Sequence, residues 1–515
     1  MKSRRLQFSL ALTGSLCLLA TSLTAATFVW DGGDDGTDLG KANNWNPNGS
    51  PVANDVLQWN GTATGALSLS YVTLNAGLNT NPGVSISLTS GQTSALTIDG
   101  GTNALRLNGS GISIASGAGA FSLGNGSGTS NITAFNGTMN LVNNSSNTAT
   151  LASDLVFATT FAGNTAFTFG GSGNWQINTN LRSTNNTGGN TVLALGSGTV
   201  TFSAANTYTG LTTIGSNGSA SVIRATISGA LGSGQVFIPG NGGSNRLELS
   251  GGITLSNALA VNGKNNVIGQ PAAILNVSGN NSLTGTVTVN VGGSHNTIQS
   301  DAGTLTLGAA TALTSGATGV RNVLFTGSGN IDVTGAITNG SSSGLVIEKQ
   351  GSGTLTLGGS NTYTGTTTVS AGTLLANGSL TSNVTVTTDG TIGGTGTITG
   401  NLQFNSGANL TITNLTDALT VTGSVSFASG FGIDDLAGID WSSVDLFTPY
   451  TLINNGTDFS TAGLDNFGIA NAAPVGGGRS AYFQNGSLQL VVIPEPATAA
   501  LGALGLLAML RRRRD

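Results

Sequence analysis

The chain has 515 residues, of which only 7% are charged, against roughly 25% in ordinary globular proteins, while 81 are glycine and 38% are hydrophobic. Between Thr27 and Pro496 there are 9 basic and 20 acidic residues, a net charge of −11, which excludes a nucleic-acid-binding surface because such a surface needs clustered Lys and Arg. Val, Ile, Leu and Phe alternate with Thr, Ser and Asn, and this alternation predicts an almost entirely β protein.

The first 26 residues have the three parts of a secretory signal peptide. A short basic start precedes the apolar segment Leu6–Ala20, which is followed by small residues. Thr24 and Ala26 occupy the small-residue positions, so we expect a signal helix over residues 1–26, cut between Ala26 and Thr27. Signal peptidase and the Sec export machinery are the implied partners. The alternative is an N-terminal membrane anchor, for which the apolar segment is short.

Residues 27–60 are predicted to form an N-terminal cap. Trp30, Trp45 and Trp59 are placed to cover the open edge of the first β layer and so to prevent strand-by-strand association.

The same segment contains an acidic, glycine-rich loop, "DGGDDGTD", with Asp31, Asp34, Asp35 and Asp38. Flexible loops rich in oxygen ligands suit Ca²⁺, although the spacing is not that of an EF-hand. A calcium site and a solvated turn are the two open interpretations of these residues.

Residues 61–430 contain an internal repeat. "GSGTVTFSAANTYTGLTTI" at 196–214 and "GSGTLTLGGSNTYTGTTTV" at 351–369 share 12 of 19 positions. Each unit is too small to bury its apolar face alone, whereas stacked units share one core. We therefore predict an all-β fold, a right-handed parallel β-helix or solenoid. An array of β-sandwiches is the alternative.

The segment at 351–380, "GSGTLTLGGSNTYTGTTTVSAGTLLANGSL", resembles the autotransporter-associated β-strand repeat. Its Gly-x-Gly-Thr-Leu-x-Leu opening, Asn-x-Tyr-x-Gly centre and Ala-Gly-Thr-Leu close are all present, and the copy at 196–214 keeps the first two parts. The resemblance implies a passenger-like β-solenoid in a secreted bacterial protein, with a surface or adhesive role rather than an enzymatic one.

Residues for catalysis are scarce. His295 is the only histidine and is predicted to be a solvated turn residue; Cys17, the only cysteine, lies within the signal peptide. Neither a nucleophile–histidine arrangement nor a typical zinc site can be assembled, so no catalytic, cofactor-binding or metal-binding residue is predicted and no cofactor is expected.

A second acidic segment, "FGIDDLAGIDW", contains Asp434, Asp435 and Asp440. Paired carboxylates hydrolyse glycosidic bonds in many enzymes, and this segment carries the alternative of a polysaccharide-degrading protein. The favoured interpretation is that residues 431–492 form the terminal coils and their cap.

Residues 493–515 have a different composition from the rest of the chain. Pro494, Glu495 and Pro496 are followed by the apolar run Ala497–Leu510, which is short for a bilayer-spanning helix. The chain then has four arginines, Arg511, Arg512, Arg513 and Arg514, which the positive-inside rule keeps on the cytoplasmic side.

This three-part ending resembles the PEP-CTERM sorting signal. The resemblance implies a short C-terminal transmembrane helix, transient membrane insertion, recognition by an exosortase-type membrane enzyme and cleavage near the tripeptide. The alternative is a simple tail anchor.

Together these features predict an exported bacterial structural or adhesive protein of the cell surface or extracellular matrix. It is expected to be membrane-associated through the C-terminal helix before processing, with extracellular polysaccharide as a candidate partner. A polysaccharide-binding or polysaccharide-degrading β-helix enzyme is the alternative.

Overall fold

The computed structural model describes residues 25–70, 83–99, 104–126, 130–134, 138–152, 155–157, 166–181, 191–240, 243–264, 271–293, 295–428, 430–456, 458–459 and 463–495. The predicted signal helix lies almost wholly within 1–24, and the predicted tail helix within 496–515. Both helices are therefore outside the described residues.

The described residues form an all-β parallel solenoid with almost no helix, which confirms the fold class. Buried and outward residues alternate along the strands, so the period-2 pattern of the sequence places Leu, Ile, Val and Phe inside. The right-handed sense stays a prediction. Within the described ranges, the helical elements are three 3-10 turns at Ala42–Asn44, Ile433–Asp435 and Ile469–Asn471. None of the helices there combines the length and apolar character needed to cross a membrane.

Strands in the first half of the chain are short, and β7 is the longest of them. They are β1 (Thr27–Trp30), β2 (Trp45–Asn46), β3 (Val56–Trp59), β4 (Leu67–Ser70), β5 (Val84–Leu88), β6 (Leu96–Asp99), β7 (Ala104–Ile114), β8 (Phe121–Leu123), β9 (Ser130–Ala134), β10 (Thr138–Asn143), β11 (Ala149–Leu151), β12 (Leu155–Phe157), β13 (Ala166–Gly170), β14 (Trp175–Ile177), β15 (Thr191–Ala194), β16 (Thr199–Phe202), β17 (Thr212–Ile214), β18 (Val222–Ala225), β19 (Val236–Ile238), β20 (Arg246–Ser250), β21 (Thr254–Leu255) and β22 (Leu259–Asn262).

Strands in the second half include two long ones, β35 and β37, that bend around a corner of the solenoid. They are β23 (Ile274–Ser278), β24 (Asn281–Leu283), β25 (Val287–Asn290), β26 (His295–Ser300), β27 (Thr304–Leu307), β28 (Thr311–Ser315), β29 (Val320–Thr326), β30 (Asn330–Val333), β31 (Ala336–Ile337), β32 (Gly344–Lys349), β33 (Thr354–Leu357), β34 (Ser360–Asn361), β35 (Thr367–Ala376), β36 (Ser379–Leu380), β37 (Val384–Gly393), β38 (Thr397–Ile398), β39 (Leu402–Phe404), β40 (Asn409–Thr411), β41 (Leu419–Val421), β42 (Val425–Phe427), β43 (Leu436–Ala437), β44 (Tyr450–Asn454), β45 (Ala473–Gly476), β46 (Arg479–Gln484) and β47 (Leu488–Pro494).

From β20 onward each coil contributes one strand to each of three faces. Face 1 stacks 14 strands from β2 to β31 and continues with β34, β36, β38, β41 and β44. Face 2 runs from β4 to β42 through β18, β20 and β32, and face 3 contains β21, β24, β27, β30, β33, β40 and β43. In β35 and β37 the first half lies on face 2 and the second half on face 3.

The coil length is not constant. Leu67 pairs with Leu96, 29 residues later, whereas Val384 pairs with Leu402, 18 residues later. Most strand pairs keep one register along their length, because a shift of one residue would turn every inward side chain to the outside. Register shifts interrupt the parallel pairs β5–β7, β20–β23, β28–β31 and β35–β37.

Both ends of the stack are closed by antiparallel strands. At the first end β2 pairs antiparallel with β1, and Trp30, Trp45 and Trp59 pack there with ring centroids 5.0–6.3 Å apart, each at most 1% exposed. At the other end β44, β47, β46 and β45 form an antiparallel C-terminal cap. Phe431 joins this cap to the last coils, with its ring centroid 5.0 Å from that of Phe404 and 6.3 Å from that of Phe483.

Candidate functional site

The Asn of the repeated Asn-x-Tyr-x-Gly motif links neighbouring coils. Asn206 accepts a hydrogen bond from the backbone N–H of Leu181 at 2.7 Å, and Asn361 accepts one from Ile337 at 2.9 Å. These partners lie 25 and 24 residues earlier in the chain. A buried amide thus satisfies a backbone donor of the preceding coil.

The Tyr of the motif makes a second buried contact. The hydroxyls of Tyr208 and Thr212 lie 2.8 Å apart, and those of Tyr363 and Thr367 lie 2.7 Å apart. Both tyrosines are fully buried, and burial raises the pKa of each phenol. Tyr208 lies between β16 on face 2 and β17 on face 1, whereas Tyr363 lies between β34 on face 1 and the face-2 half of β35. In both repeats the Tyr–Thr pair therefore fixes the turn that leads into the next strand.

The opening glycines of the motif allow close approach between coils. A Cβ at Gly198 would lie 2.0 Å from the carbonyl oxygen of Gly173, and one at Gly353 would lie 2.0 Å from that of Gly329. Real Cβ atoms do not come so close to backbone, so only glycine fits at these corners without displacing the neighbouring coil.

An ion-pair cluster crosses two coils on face 2. The buried carboxylate of Glu248 accepts from Arg224 Nη2 at 2.6 Å and from Arg246 Nη2 at 2.6 Å, and each arginine adds an Nε bond. The side chains of Arg224 and Arg246 each remain about a third or more exposed. The cluster ties β18 to β20.

Two lysines lie inside the solenoid, and sequence reasoning missed both. Lys349 is 3% exposed, and its Nζ donates to the carbonyl oxygens of Gln350, Gly351 and Ala371 at 2.8–3.1 Å. Lys264 is 2% exposed, and its Nζ donates to backbone carbonyls in the same way. Burial lowers the pKa of each to about 8, with the charge of Arg246 adding to the effect at Lys264.

The N-terminal acidic loop contains its own cation. Lys41 Nζ lies 2.8 Å from Asp35 Oδ2 and 3.7 Å from Asp34 Oδ2. Asp35 also accepts from two backbone N–H groups and from Asn44 Nδ2, and with Lys41 these hydrogen bonds hold the pKa of its carboxyl well below its usual range. The described residues contain no group of three or more His, Cys, Asp or Glu arranged for a metal ion. The arrangement favours the structured turn over the calcium site.

The predicted signal-peptidase site lies next to a buried carboxylate. The N–H of Ala26 donates to Asp55 Oδ1 at 2.8 Å, and the carbonyl of Ala26 accepts from Val56 N, also at 2.8 Å. Thr27 is exposed and begins β1. Cleavage between Ala26 and Thr27 stays a prediction.

The second acidic segment lies in the last coil, next to β43. Asp434 and Asp435 lie in a 3-10 turn that precedes β43, and Asp440 lies in the following turn, where its Oδ1 accepts from Ser442 N at 3.1 Å and Ser442 Oγ at 2.7 Å. Burial raises the pKa of Asp435, whereas the hydrogen bonds from Ser442 lower that of Asp440.

His295 is not in a turn, contrary to the sequence-based prediction. It is the first residue of β26 and partly buried, and its backbone carbonyl accepts from Lys264 N at 2.9 Å. Its Nε2 lies 3.5 Å from Nδ2 of Asn322 in the next coil. An isolated antiparallel bridge joins His295 to Lys264 on one side, and the parallel pairing of β26 with β29 joins it to Asn322 on the other.

Two residues of the predicted sorting signal are described. Pro494 is the last residue of β47 and lies opposite Arg479 in β46, and the N–H of Glu495 donates to the Gly478 carbonyl at 2.8 Å. The tripeptide therefore begins where the C-terminal cap ends. Pro496 and the four arginines, Arg511 to Arg514, lie outside the described residues.

The C-terminal cap also forms two clefts that sequence reasoning did not identify. One has a volume of about 470 Å³ and is lined by Asp440, Trp441 and Arg479; the other has a volume of about 490 Å³ and is lined by Asp434 and Trp441. Asp435 lines neither of them. Neither of these two clefts therefore contains the carboxyl group of raised pKa, Asp435.

Comparison with known families identifies the repeated units. A model of the passenger-associated-transport-repeat matches residues 193–219 and 347–376. These two segments are similar to passenger-associated transport repeats. Neither a curated protein nor a solved structure matches the chain.

The two matched segments contain the contacts described above. Each passenger-associated transport repeat includes the Asn that reaches the previous coil, the Tyr–Thr pair and the glycine at the corner. With the β-solenoid around them, these repeats indicate an exported, autotransporter-passenger-like protein of the surface or extracellular space.

Proposed function

We propose that this protein is a structural or adhesive component of the bacterial surface or extracellular matrix, without enzymatic activity. The passenger-associated transport repeats within a continuous solenoid carry this proposal. Such repeats build a long rod whose outer faces present Thr, Ser and Asn, and a rod of this kind serves attachment or spacing better than turnover of a substrate.

The proposed route of export has two signals. The signal peptide directs the chain through the Sec machinery, and signal peptidase cuts between Ala26 and Thr27. The PEP-CTERM tail then holds the chain in the membrane until an exosortase-type enzyme cuts near Pro494, Glu495 and Pro496. The position of Glu495 supports this route, because the tripeptide directly follows the folded cap and leaves little unfolded chain on the released protein.

The experiment that tests the route changes the tail and measures where the protein goes. We expect Glu495→Ala to remain in the membrane fraction and Glu495→Asp to be released in part, in a host that carries an exosortase. When Arg511, Arg512, Arg513 and Arg514 are all replaced by Ser, we expect the chain to pass completely through the membrane without processing. Replacing the four arginines by Lys should preserve processing, because the positive charge is retained.

Normal release of the Glu495→Ala protein would show that the tripeptide is not the recognition element. Retention of the unchanged protein in the membrane, with its arginines still present, would instead support the simple tail anchor.

A further inference from the structure

The two clefts of the C-terminal cap meet at one aromatic side chain. Trp441 and Val475 line both clefts, so a chain-like ligand lying along the cap would cross the indole. Their volumes, about 470 and 490 Å³, are within the range of ordinary ligand sites. Trp441 is partly buried against the core of the cap, while the other tryptophans of the described residues, Trp30, Trp45, Trp59 and Trp175, are at most 1% exposed.

Polar groups with fixed positions surround the indole in the first cleft. Asp440 has one carboxylate oxygen bound to Ser442, and the lowered pKa of this carboxyl keeps it ionised. Arg479 uses Nη1 to hold the carbonyls of Trp441 and Val444 at 3.0 and 2.6 Å. A guanidinium has five N–H donors, so Arg479 both fixes the backbone of Trp441 and retains donors for a ligand.

The second cleft presents oxygen atoms. Asp434, Asp465 and Asn466 line it. The side-chain oxygens of Asp434 and Asn466 lie close to Gly432, and each would be 2.7 Å from a Cβ placed on that glycine. Asn466 Oδ1 also accepts from Ile433 N at 2.9 Å, which fixes the orientation of its amide.

The hairpin turn between β45 and β46 leaves the first cleft open. Gly476 and Gly477 have φ of +86° and +63°, and a Cβ at either residue would contact nothing within 4 Å. Side chains are therefore absent from this wall, and the floor of the cleft is accessible to a flat ring.

The chemistry of the clefts matches a sugar chain. The C–H groups of a pyranose ring pack on the electron-rich face of an indole, and carboxylates, an amide and a guanidinium bind hydroxyl groups. Asp434, Asp440 and Asp465 outnumber Arg479, so the clefts are net acidic. An acidic site repels uronic acids and sulfated sugars, which favours a neutral polysaccharide over an acidic one.

We propose that the Trp441 clefts bind a neutral polysaccharide segment, with one sugar ring on the indole and its neighbours in the two clefts. The inference rests on the proposed role at the surface or in the matrix, and it assigns to that role a partner and a binding site at the end of the rod. The site is proposed to bind the sugar chain without cleaving its glycosidic bonds, because Asp435, the carboxyl group of raised pKa, lines neither cleft.

The test is a calorimetric titration of the purified exported protein with cellohexaose, laminarihexaose and, as the acidic comparison, a galacturonic acid hexamer. We expect saturable binding of at least one neutral hexasaccharide and at least tenfold weaker binding of the acidic one. Trp441→Ala should weaken binding by about tenfold or more, and Trp441→Phe by less, because an aromatic face remains.

Two further variants separate binding from folding. Gly477→Asn keeps the positive φ, which asparagine tolerates, and puts a side chain into the open cleft; it should weaken binding while the melting curve stays unchanged. Phe447→Ala is the matched control, because Phe447 is 68% exposed on the same cap and lines neither cleft. It should bind like the unchanged protein.

The proposal is overturned if neither neutral hexasaccharide binds, if the galacturonic acid hexamer binds more tightly, or if Gly477→Asn binds normally. These titrations use purified protein and are independent of tail processing, so their failure is distinct from failure of the proposed export route.

Discussion

The hydroxyl groups of Tyr363 and Thr367 lie 2.7 Å apart in the interior of the solenoid, and the Thr367 hydroxyl also lies 2.7 Å from that of Ser382 in the following coil. All three side chains are at most 1% exposed. The repeat motif thus builds a hydrogen-bonded chain that crosses from one coil to the next. The equivalent pair, Tyr208 and Thr212, shows that the arrangement belongs to the repeat rather than to one coil.

We expect Tyr208→Phe to lower the free energy of unfolding by about 1–2 kcal/mol, because the buried Thr212 hydroxyl loses its partner. Tyr363→Phe should cost less, since Thr367 keeps Ser382. Urea unfolding of the single variants and of Tyr208→Phe combined with Thr212→Val measures the coupling. Additive effects in this double-mutant cycle would contradict the assigned contact.

Gly353→Ala should destabilise the protein by at least about 2 kcal/mol, because the new Cβ would require a backbone shift in the neighbouring coil. Gly344→Ala is the matched control, since Gly344 is also buried and its Cβ would meet its nearest neighbour at an ordinary 3.8 Å. Thermal unfolding of both variants checks the difference. Equal stability of the two would mean that the coils do not approach as described.

Stability should rise with pH above about 8. The native pKa values of Lys264 and Lys349 are about 8, whereas an unfolded lysine keeps its proton up to 10.5; between these values the unfolded chain binds more protons, so raising the pH favours the folded state. Above about pH 10 the trend should reverse, because Tyr208 and Tyr363 ionise only in the unfolded chain.

Urea unfolding at a series of pH values measures this profile. Lys349→Met and Lys264→Met should each flatten the rise, whereas Lys41→Met should leave it in place, because Lys41 is a surface residue paired with Asp35. A profile that falls steadily from pH 8 would contradict the burial of the two lysines.

Calcium should leave the melting temperature unchanged. Lys41 already pairs with Asp35 and Asp34, so about 1 mM CaCl₂ should shift the melting temperature by less than about 1 °C relative to EDTA. A clear calcium-dependent stabilisation would restore the calcium interpretation of Asp31, Asp34, Asp35 and Asp38. Lys41→Gln provides the comparison, since it removes the positive charge and keeps a polar, unbranched side chain.

Much of the fold could be predicted because it depends on local patterns. The alternation of buried and outward residues along strands such as β10 depends on contacts within one coil. The repeated Asn-x-Tyr-x-Gly unit depends on contacts between one coil and the next. The inward position of Lys349 could also have been predicted, because Lys349 alternates with outward residues in the same way as Leu345 and Ile347 in β32. Its three carbonyl partners could not, because they come from corners that no sequence pattern specifies.

The clefts could not be predicted, because they depend on the antiparallel cap. Trp441 and Arg479 are 38 residues apart and meet only when β46 and β47 fold back against β44. The sequence of the segment suggested paired carboxylates for catalysis, and only the fold shows that Asp440 faces an aromatic side chain and a guanidinium.

We propose that this exported solenoid is released by processing at its C-terminal tail. The most direct test is an intact-mass measurement of the protein recovered from the surface or medium of its native host, with peptide mapping of both ends. We expect a chain that begins at Thr27, ends close to Glu495 and lacks Arg511 to Arg514. Recovery of surface protein that retains the four arginines would contradict this processing.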